Sequence, residues 1–266
     1  MAPPPSLSAA LLQRAATDPE EPWLFRAEGW DWVWHPWREL AGWMERWRES
    51  LFTLPAGSRA AFRYDARPES VILDLAVQAA GLVSAPNGGR EDSWWIERRG
   101  LEIEATSSSH RPPPPDRGGL AGAVVILEGR PVTWAMGEIV AAGERLQGLI
   151  GEAGTREIVV LGGPLEDPLE RTMMAWATLS GAVVVLEPDP ALRAATAAWV
   201  RPTTFHGTPA EIADLRARVG RGRRGRLPFR RLRTVLASGE ISEEEAGFWR
   251  ERGVRVVAFS FLAGLM

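Results

Sequence analysis

The chain has 266 residues, enough for one large or two small domains, and its 45% hydrophobic and 24% charged content is that of an ordinary globular protein. A net charge of −3 provides no basic field for nucleic acid, and the lack of cysteine removes disulfides, thiolate nucleophiles and Cys-ligated metals. All 31 basic residues are arginine, so neither Schiff-base chemistry nor lysine-dependent phosphate chemistry is available to these residues.

The first predicted element is a short amphipathic helix over 7–16, with Leu7, Leu11, Leu12 and Ala15 as its apolar stripe. Two strands, 23–26 and 30–34, follow around Ala27-Glu28-Gly29, and their alternation puts Trp30, Trp32 and Trp34 on one face. Pro36 suits the first turn of a helix that carries Trp37, Leu40, Ala41, Met44, Trp47 and Leu51 at helical spacing. Beyond the turn at Leu54-Pro55-Ala56-Gly57, a strand at 59–64, a helix at 69–80 ended by Gly81 and a strand at 82–85 predict a parallel crossover.

Residues 105–119 are rich in Ser, Pro and Gly and carry little apolar surface, which predicts a linker and a subdomain boundary, with units at 1–115 and 116–266. The second unit repeats strand and helix: strands at 123–127, 157–161, 182–186, 203–205, 233–237 and 254–259, and helices at 134–150, 168–179, 190–199, 209–219 and 242–252. Uninterrupted apolar strands such as Ala182-Val183-Val184-Val185-Leu186 indicate a sheet covered on both faces. The predicted fold class is therefore α/β: two stacked α/β subdomains with largely parallel sheets.

Several segments, in order, resemble the N-terminal domain of the adenylate-forming superfamily, which includes acyl-CoA synthetases, luciferases and nonribosomal-peptide adenylation domains. Trp37-Arg38-Glu39-Leu40 is similar to the aromatic-x-Glu-Leu helix near the family's start, and Leu54-Pro55-Ala56-Gly57-Ser58-Arg59 to its Pro-Gly-Asp-Arg turn. The stretch from Arg67-Pro68-Glu69 to Ala85-Pro86, Gly162-Gly163-Pro164-Leu165, Leu179 to Leu186 and Arg201 to Pro209 follow the family's pattern further on. Leu232 to Glu240 sits where the family has its adenine-side segment, so the resemblance spans roughly residues 20–265.

Such enzymes activate a carboxylate with ATP, and the resemblance implies a Gly/Ser/Thr loop, a lysine and Mg²⁺ to stabilise the transferring phosphoryl group. The loop should follow the strand at 123–127. There the sequence reads Glu128-Gly129-Arg130-Pro131-Val132-Thr133, a Gly-x-Pro remnant with a negative charge in front of it. The family's Tyr-Gly-x-Thr-Glu segment, whose Glu helps hold the metal, should follow the strand at 254–259. Here it is Ser260-Phe261-Leu262-Ala263-Gly264, without Thr or carboxylate. The sequence given ends at Met266, ahead of where the family's ribose-binding Asp, hinge and mobile lid domain would come.

The resemblance places the pocket candidates at His206, Gly207, Ser238, Gly239, Glu240 and Phe261, with an adenine nucleotide or an acyl group as ligand class and a degenerate phosphate loop at Glu128, Gly129, Arg130 and Pro131. Structural readings stand beside these: His206 as a loop residue opening a helix, and Ser242 with Glu245 as a capping box after a turn at 238–240. No catalytic residue is assigned and no cofactor is required. The histidines His35, His110 and His206 show no paired metal spacing, so no metal site is assigned either.

Two surface features remain. The tryptophans of 23–47, with Trp43 off the helical stripe, and Trp94-Trp95 either fill core or offer a surface to a protein partner or a second copy. The basic loop Gly220 to Arg226 has no interleaved aromatics and reads as a solvated loop rather than a nucleic-acid site. No apolar run is long enough for a membrane span and Met1 to Pro5 lacks a signal-peptide pattern, which predicts a cytoplasmic protein. The expected function is a catalytically inactive acyl-CoA synthetase-like binding or interaction subunit. The alternative is a minimal carboxylate-adenylating subunit completed by a partner chain.

Overall fold

The computed structural model describes residues 4–28, 31–89, 93–107, 121–127, 129–150, 157–220 and 230–258. Helix α1 (Leu7–Thr17) starts at Ser6, whose hydroxyl accepts the Ala9 N–H. The hairpin of β1 (Pro22–Glu28) and β2 (Asp31–Pro36) leads straight into α2 (Trp37–Leu51), whose stripe of Trp37, Leu40, Ala41, Met44, Trp47 and Leu51 is buried as its spacing predicts. Trp23 stacks on Trp37 at 4.4 Å, and neither is exposed.

One sheet has the order β6-β5-β3-β4-β7-β8. Its centre is the predicted crossover of β3 (Arg59–Phe62), α3 (Pro68–Ala79) and β4 (Val83–Pro86), with Ala60 paired to Ser84. Antiparallel hairpins form both edges: β5 (Trp94–Arg99) with β6 (Glu102–Ser107), and β7 (Gly122–Leu127) with β8 (Arg130–Ala135).

The second sheet has the order β13-β12-β11-β9-β10-β1-β2. The strands β9 (Ile158–Leu161), β10 (Val183–Leu186), β11 (Thr204–Gly207), β12 (Thr234–Ala237) and β13 (Arg255–Ala258) run parallel to one another. Between them come α5 (Pro168–Ser180), α6 (Pro190–Val200), α7 (Pro209–Gly220) and α8 (Glu243–Arg250), and α4 (Met136–Ile150) precedes β9. Neither sheet follows the 1–115 and 116–266 division. β1 and β2 join the sheet of β9 to β13, while β7 and β8 join that of β3 to β6.

Two helices lie between the sheets. α3 touches β4 of one and β1 of the other, and α5 touches β9 and β10 of one and β7 of the other. Both are buried around nearly their whole circumference, which is why neither shows a polar stripe. A buried ion pair joins them. Arg171 donates through Nη1 and Nη2 to Asp74 at 3.0 and 3.1 Å and through Nε to the Leu165 carbonyl at 2.8 Å. Gln78 Nε2 and the Ser84 hydroxyl also donate to the Asp74 carboxylate, so its lone pairs are well used.

Several predicted elements are corrected by the structure. The linker predicted at 105–119 begins in strand, because Ala105 and Thr106 pair with Ile96 and Trp95; residues 108–120 are outside the described set. Arg130 to Ala135 form strand β8, where a loop and a helix start were expected; Pro131 is tolerated because β8 is an edge strand. Trp43, Trp94 and Trp95 are half-buried against core residues and form no free aromatic patch. Trp34 is 50% exposed, and Trp199, which stacks on Trp32 at 5.7 Å, is 70% exposed. Trp30 and the basic loop at 221–226 fall outside the described residues. Among those described, no helix is long and apolar enough to cross a membrane.

Candidate functional site

Parallel sheets open clefts at the carboxyl ends of their strands, where connections to helices diverge. Here a cleft of about 730 Å³ lies beyond β9, β11 and β12. Gly163 and Pro164 after β9, His206 at the end of β11 and Ser238 after β12 line it from the strand side. The first turns of α5, α6 and α7 line it from the other side, with Asp167, Glu170, Arg193 and Glu211.

Each of those helices starts where a local signal dictates. Asp167 accepts the N–H groups of Leu169 and Glu170 at 2.8 and 3.1 Å, with Pro168 at the first helical position. Asp189 accepts the Ala191 N–H at 2.9 Å, followed likewise by Pro190. Thr208 and Glu211 form a capping box: Glu211 Oε2 accepts the Thr208 N–H at 2.7 Å and the Thr208 hydroxyl at 2.9 Å, and Thr208 Oγ1 accepts the Glu211 N–H at 3.3 Å. Three helix N-termini, which favour negative charge, are thus already met by carboxylates of the chain itself.

The buried floor is a four-residue charge cluster. Glu170 Oε1 accepts the Gly163 N–H at 2.9 Å and stands 3.5 Å from both Arg193 Nη1 and His206 Nδ1. Arg193 Nη1 lies 3.2 Å from Glu211 Oε1, and Arg193 Nε donates to the Glu187 carbonyl. All four side chains are at most about one-tenth exposed. Neither ring nitrogen of His206 has a protein hydrogen-bond partner, and neither has Glu211 Oε1. Each nonetheless has a close polar neighbour, His206 Nδ1 beside Glu170 and Glu211 Oε1 beside Arg193.

Burial pushes the Glu170 carboxyl up, but the His206 ring, the Arg193 guanidinium and the Gly163 N–H outweigh it and hold the group below its ordinary value. Tyr64 goes the other way. Its phenol is pushed well above the ordinary value, first by burial and then by the negative charges of Glu170 and Asp74. After β9, at the edge of the cleft, two successive positions require glycine. A Cβ on Gly162 would stand 1.7 Å from the Glu187 carbonyl oxygen, and one on Gly163 would stand 2.4 Å from Glu170 Oε1.

Of the residues anticipated from the sequence, His206 and Ser238 line this cleft. Gly207 backs it, since a Cβ there would meet Glu211 at 3.1 Å. Gly239 sits against the Pro209 ring and Glu240 is exposed; neither lines the cleft. Phe261 and Glu128 lie outside the described residues. Gly129, Arg130 and Pro131 are elsewhere, on the far edge of the other sheet. Sequence reasoning missed Glu170, Arg193 and Glu211. The Thr208-x-x-Glu211 spacing and a lone acid inside the apolar run of α5 were the available signals. Among the described residues no group of three or more His, Asp and Glu side chains could hold a metal ion.

No known protein-family profile and no curated protein sequence matches the chain. Solved structures do. CmiS6 superposes with a TM-score of 0.72 at 18% identity, over 97% of this chain and 72% of that one. The inhibitor-bound N-terminal domain of FACL13 from Mycobacterium tuberculosis gives 0.74 at 14% identity, over 95% and 75%. The nonribosomal peptide synthetase FmoA3 in its AMPPNP-bound form gives 0.75 at 17%, over 97% of this chain and 32% of that one. The chain therefore has the fold of the N-terminal domain of adenylate-forming enzymes, as its motifs predict. At these identities the likeness extends to the fold alone.

Proposed function

We propose that the chain is a catalytically silent, ligand-binding subunit built on the adenylate-forming scaffold. The observation that carries this reading is the hairpin after β7. Leu127 pairs directly with Arg130, which leaves only positions 128 and 129 to turn the chain. Gly129 takes the left-handed conformation, at φ +75°, that a two-residue hairpin turn demands. A phosphate cradle needs several successive N–H groups pointing into one concavity, and a turn this short between paired strands has no room for one. Arg130 and Pro131 are exposed strand residues. The residues present do not fit a magnesium triphosphate at this place. The absence of lysine from the sequence points the same way.

The strand-end cleft is what the scaffold retains, and ligand binding there is the function it supports. ATP–pyrophosphate exchange by the purified chain, across fatty, aromatic and amino acids, tests the reading. Exchange at background is expected. Robust acid-dependent exchange by the pure protein overturns it, whatever the cleft binds.

A further inference from the structure

The sheet of β9 to β13 ends at β2, which has a strand neighbour, β1, on one side only. The Trp37 N–H donates to the Glu21 carbonyl at 3.2 Å, one step beyond the pairing of Pro22 with Pro36. Backbone direction alternates along a strand. His35, Val33 and Asp31 therefore turn their N–H and carbonyl groups towards β1, while Trp34 and Trp32 turn theirs away from the sheet. An open row of this kind is a template for another strand. Two other edges are guarded, β8 by Pro131 and β6 by Glu102 and Glu104. β2 carries aromatic rings instead. Trp32 and Trp34 share a face, Trp34 is 50% exposed, and Trp199 of α6, 70% exposed, stacks on Trp32.

We infer that β2 pairs antiparallel with β2 of a second copy of this chain, about a two-fold axis at Val33. The strand is self-complementary in that register. Trp32 lies opposite Trp34 of the second copy, and Trp34 opposite its Trp32. These are the outward-facing residues, so each pair exchanges N–H···O bonds in both directions. Asp31 is the one carboxylate of β2 and is exposed; it lies opposite His35 of the second copy, not opposite itself. Moving the axis to Trp34 would set Trp32 opposite Pro36, which has no N–H to give. The two-fold at Val33 also gathers Trp32, Trp34 and Trp199 of both copies on one face and covers their exposed rings.

Cysteine cross-linking and sedimentation velocity test this on the full chain. The sequence has no cysteine, so any disulfide of Val33→Cys joins position 33 of two copies. On the axis that residue meets its counterpart in a non-hydrogen-bonded pair, with about 4.5 Å between Cα atoms, which a disulfide spans. Asp31→Cys is the more exposed thiol, but it sits opposite position 35 and lies beyond the roughly 7 Å limit from its own counterpart. Mild oxidation should therefore convert Val33→Cys, and not Asp31→Cys, to a covalent dimer. The unaltered chain should sediment as a dimer at micromolar concentration, and Trp34→Lys should weaken dimerisation about tenfold. If circular dichroism shows that Trp34→Lys does not fold, the cross-linking pattern decides. A monomeric unaltered chain, a dimer indifferent to Trp34→Lys, or bridging by Asp31→Cys in place of Val33→Cys overturns the inference. Pyrophosphate exchange bears on the silent-subunit reading alone, and neither outcome decides the other.

Discussion

The Asp74–Arg171 pair between α3 and α5 gives the sharpest test of how the two sheets are held together. Both side chains are almost fully buried, at 4% and 2% exposure, and the geometry is bidentate. Asp74→Ala would leave a guanidinium without a counter-charge inside the core and take an acceptor from Gln78 and Ser84 as well. Removing one partner of a buried pair costs about 3–5 kcal/mol, against a total stability of about 5–15 kcal/mol for an ordinary domain. Replacing both partners with apolar groups is a different matter, because it also removes the desolvation penalty. The double variant Asp74→Leu/Arg171→Met should therefore be more stable than either single variant, with a coupling above about 2 kcal/mol. Urea unfolding followed by tryptophan fluorescence and circular dichroism measures all four corners of the cycle. A cost below about 1 kcal/mol for Asp74→Ala, or a double variant equal to the sum of the singles, would refute the reasoning.

Other perturbations have equally direct readouts. Gly162→Ala should cost upwards of about 3 kcal/mol in chemical denaturation, since its Cβ collides with the backbone carbonyl of Glu187. Glu170 has a folded value below its ordinary 4.5, so the unfolded chain binds that proton more readily. Its contribution to stability should stand in full above that ordinary value and drain away as pH falls towards the folded one, and Glu170→Gln should lack this acid limb in pH-dependent melts. Tyr64 is the mirror case: stability should decline as pH rises beyond its ordinary 10.0, and Tyr64→Phe should remove that alkaline decline. Trp47→Ala should cost about 3–5 kcal/mol, because the ring is fully buried and its Nε1–H bonds the Leu101 carbonyl, whereas Trp199→Ala on the surface should cost under about 1 kcal/mol.

The parallel core was the legible part of this chain. Strands such as Val183–Leu186 are apolar on both faces, and α2 has an unmistakable stripe, so burial and periodicity carry the same message. The edge hairpins were not legible, for a reason that lies in solvent. β5 and β6 put Glu97, Arg98, Arg99, Glu102 and Glu104 on a sheet rim, where charge is tolerated and hides the alternation of Ile96, Ile103 and Ala105. β8 was missed because the family resemblance set a phosphate loop at 128–133 and a helix start at 134. Of the cleft, His206 and Ser238 were anticipated through the family resemblance of the segments around them. Glu170, Arg193 and Glu211 stand on three successive crossover helices, and only the winding of the sheet brings their heads together.

The pairing of β1 with β10 sets Leu24 beside Val184, a separation of 160 positions along the chain. During synthesis β1 can pair with β2 at once, but its β10 side stays uncovered until residue 186 has left the ribosome. Two oily residues must wait while the intervening positions are made, and contacts of such sequence separation slow folding. Fragment complementation between 1–36 and the remainder would recreate that late docking in a tube. A nascent chain halted before residue 183 is the form most dependent on a chaperone to shield its tryptophans.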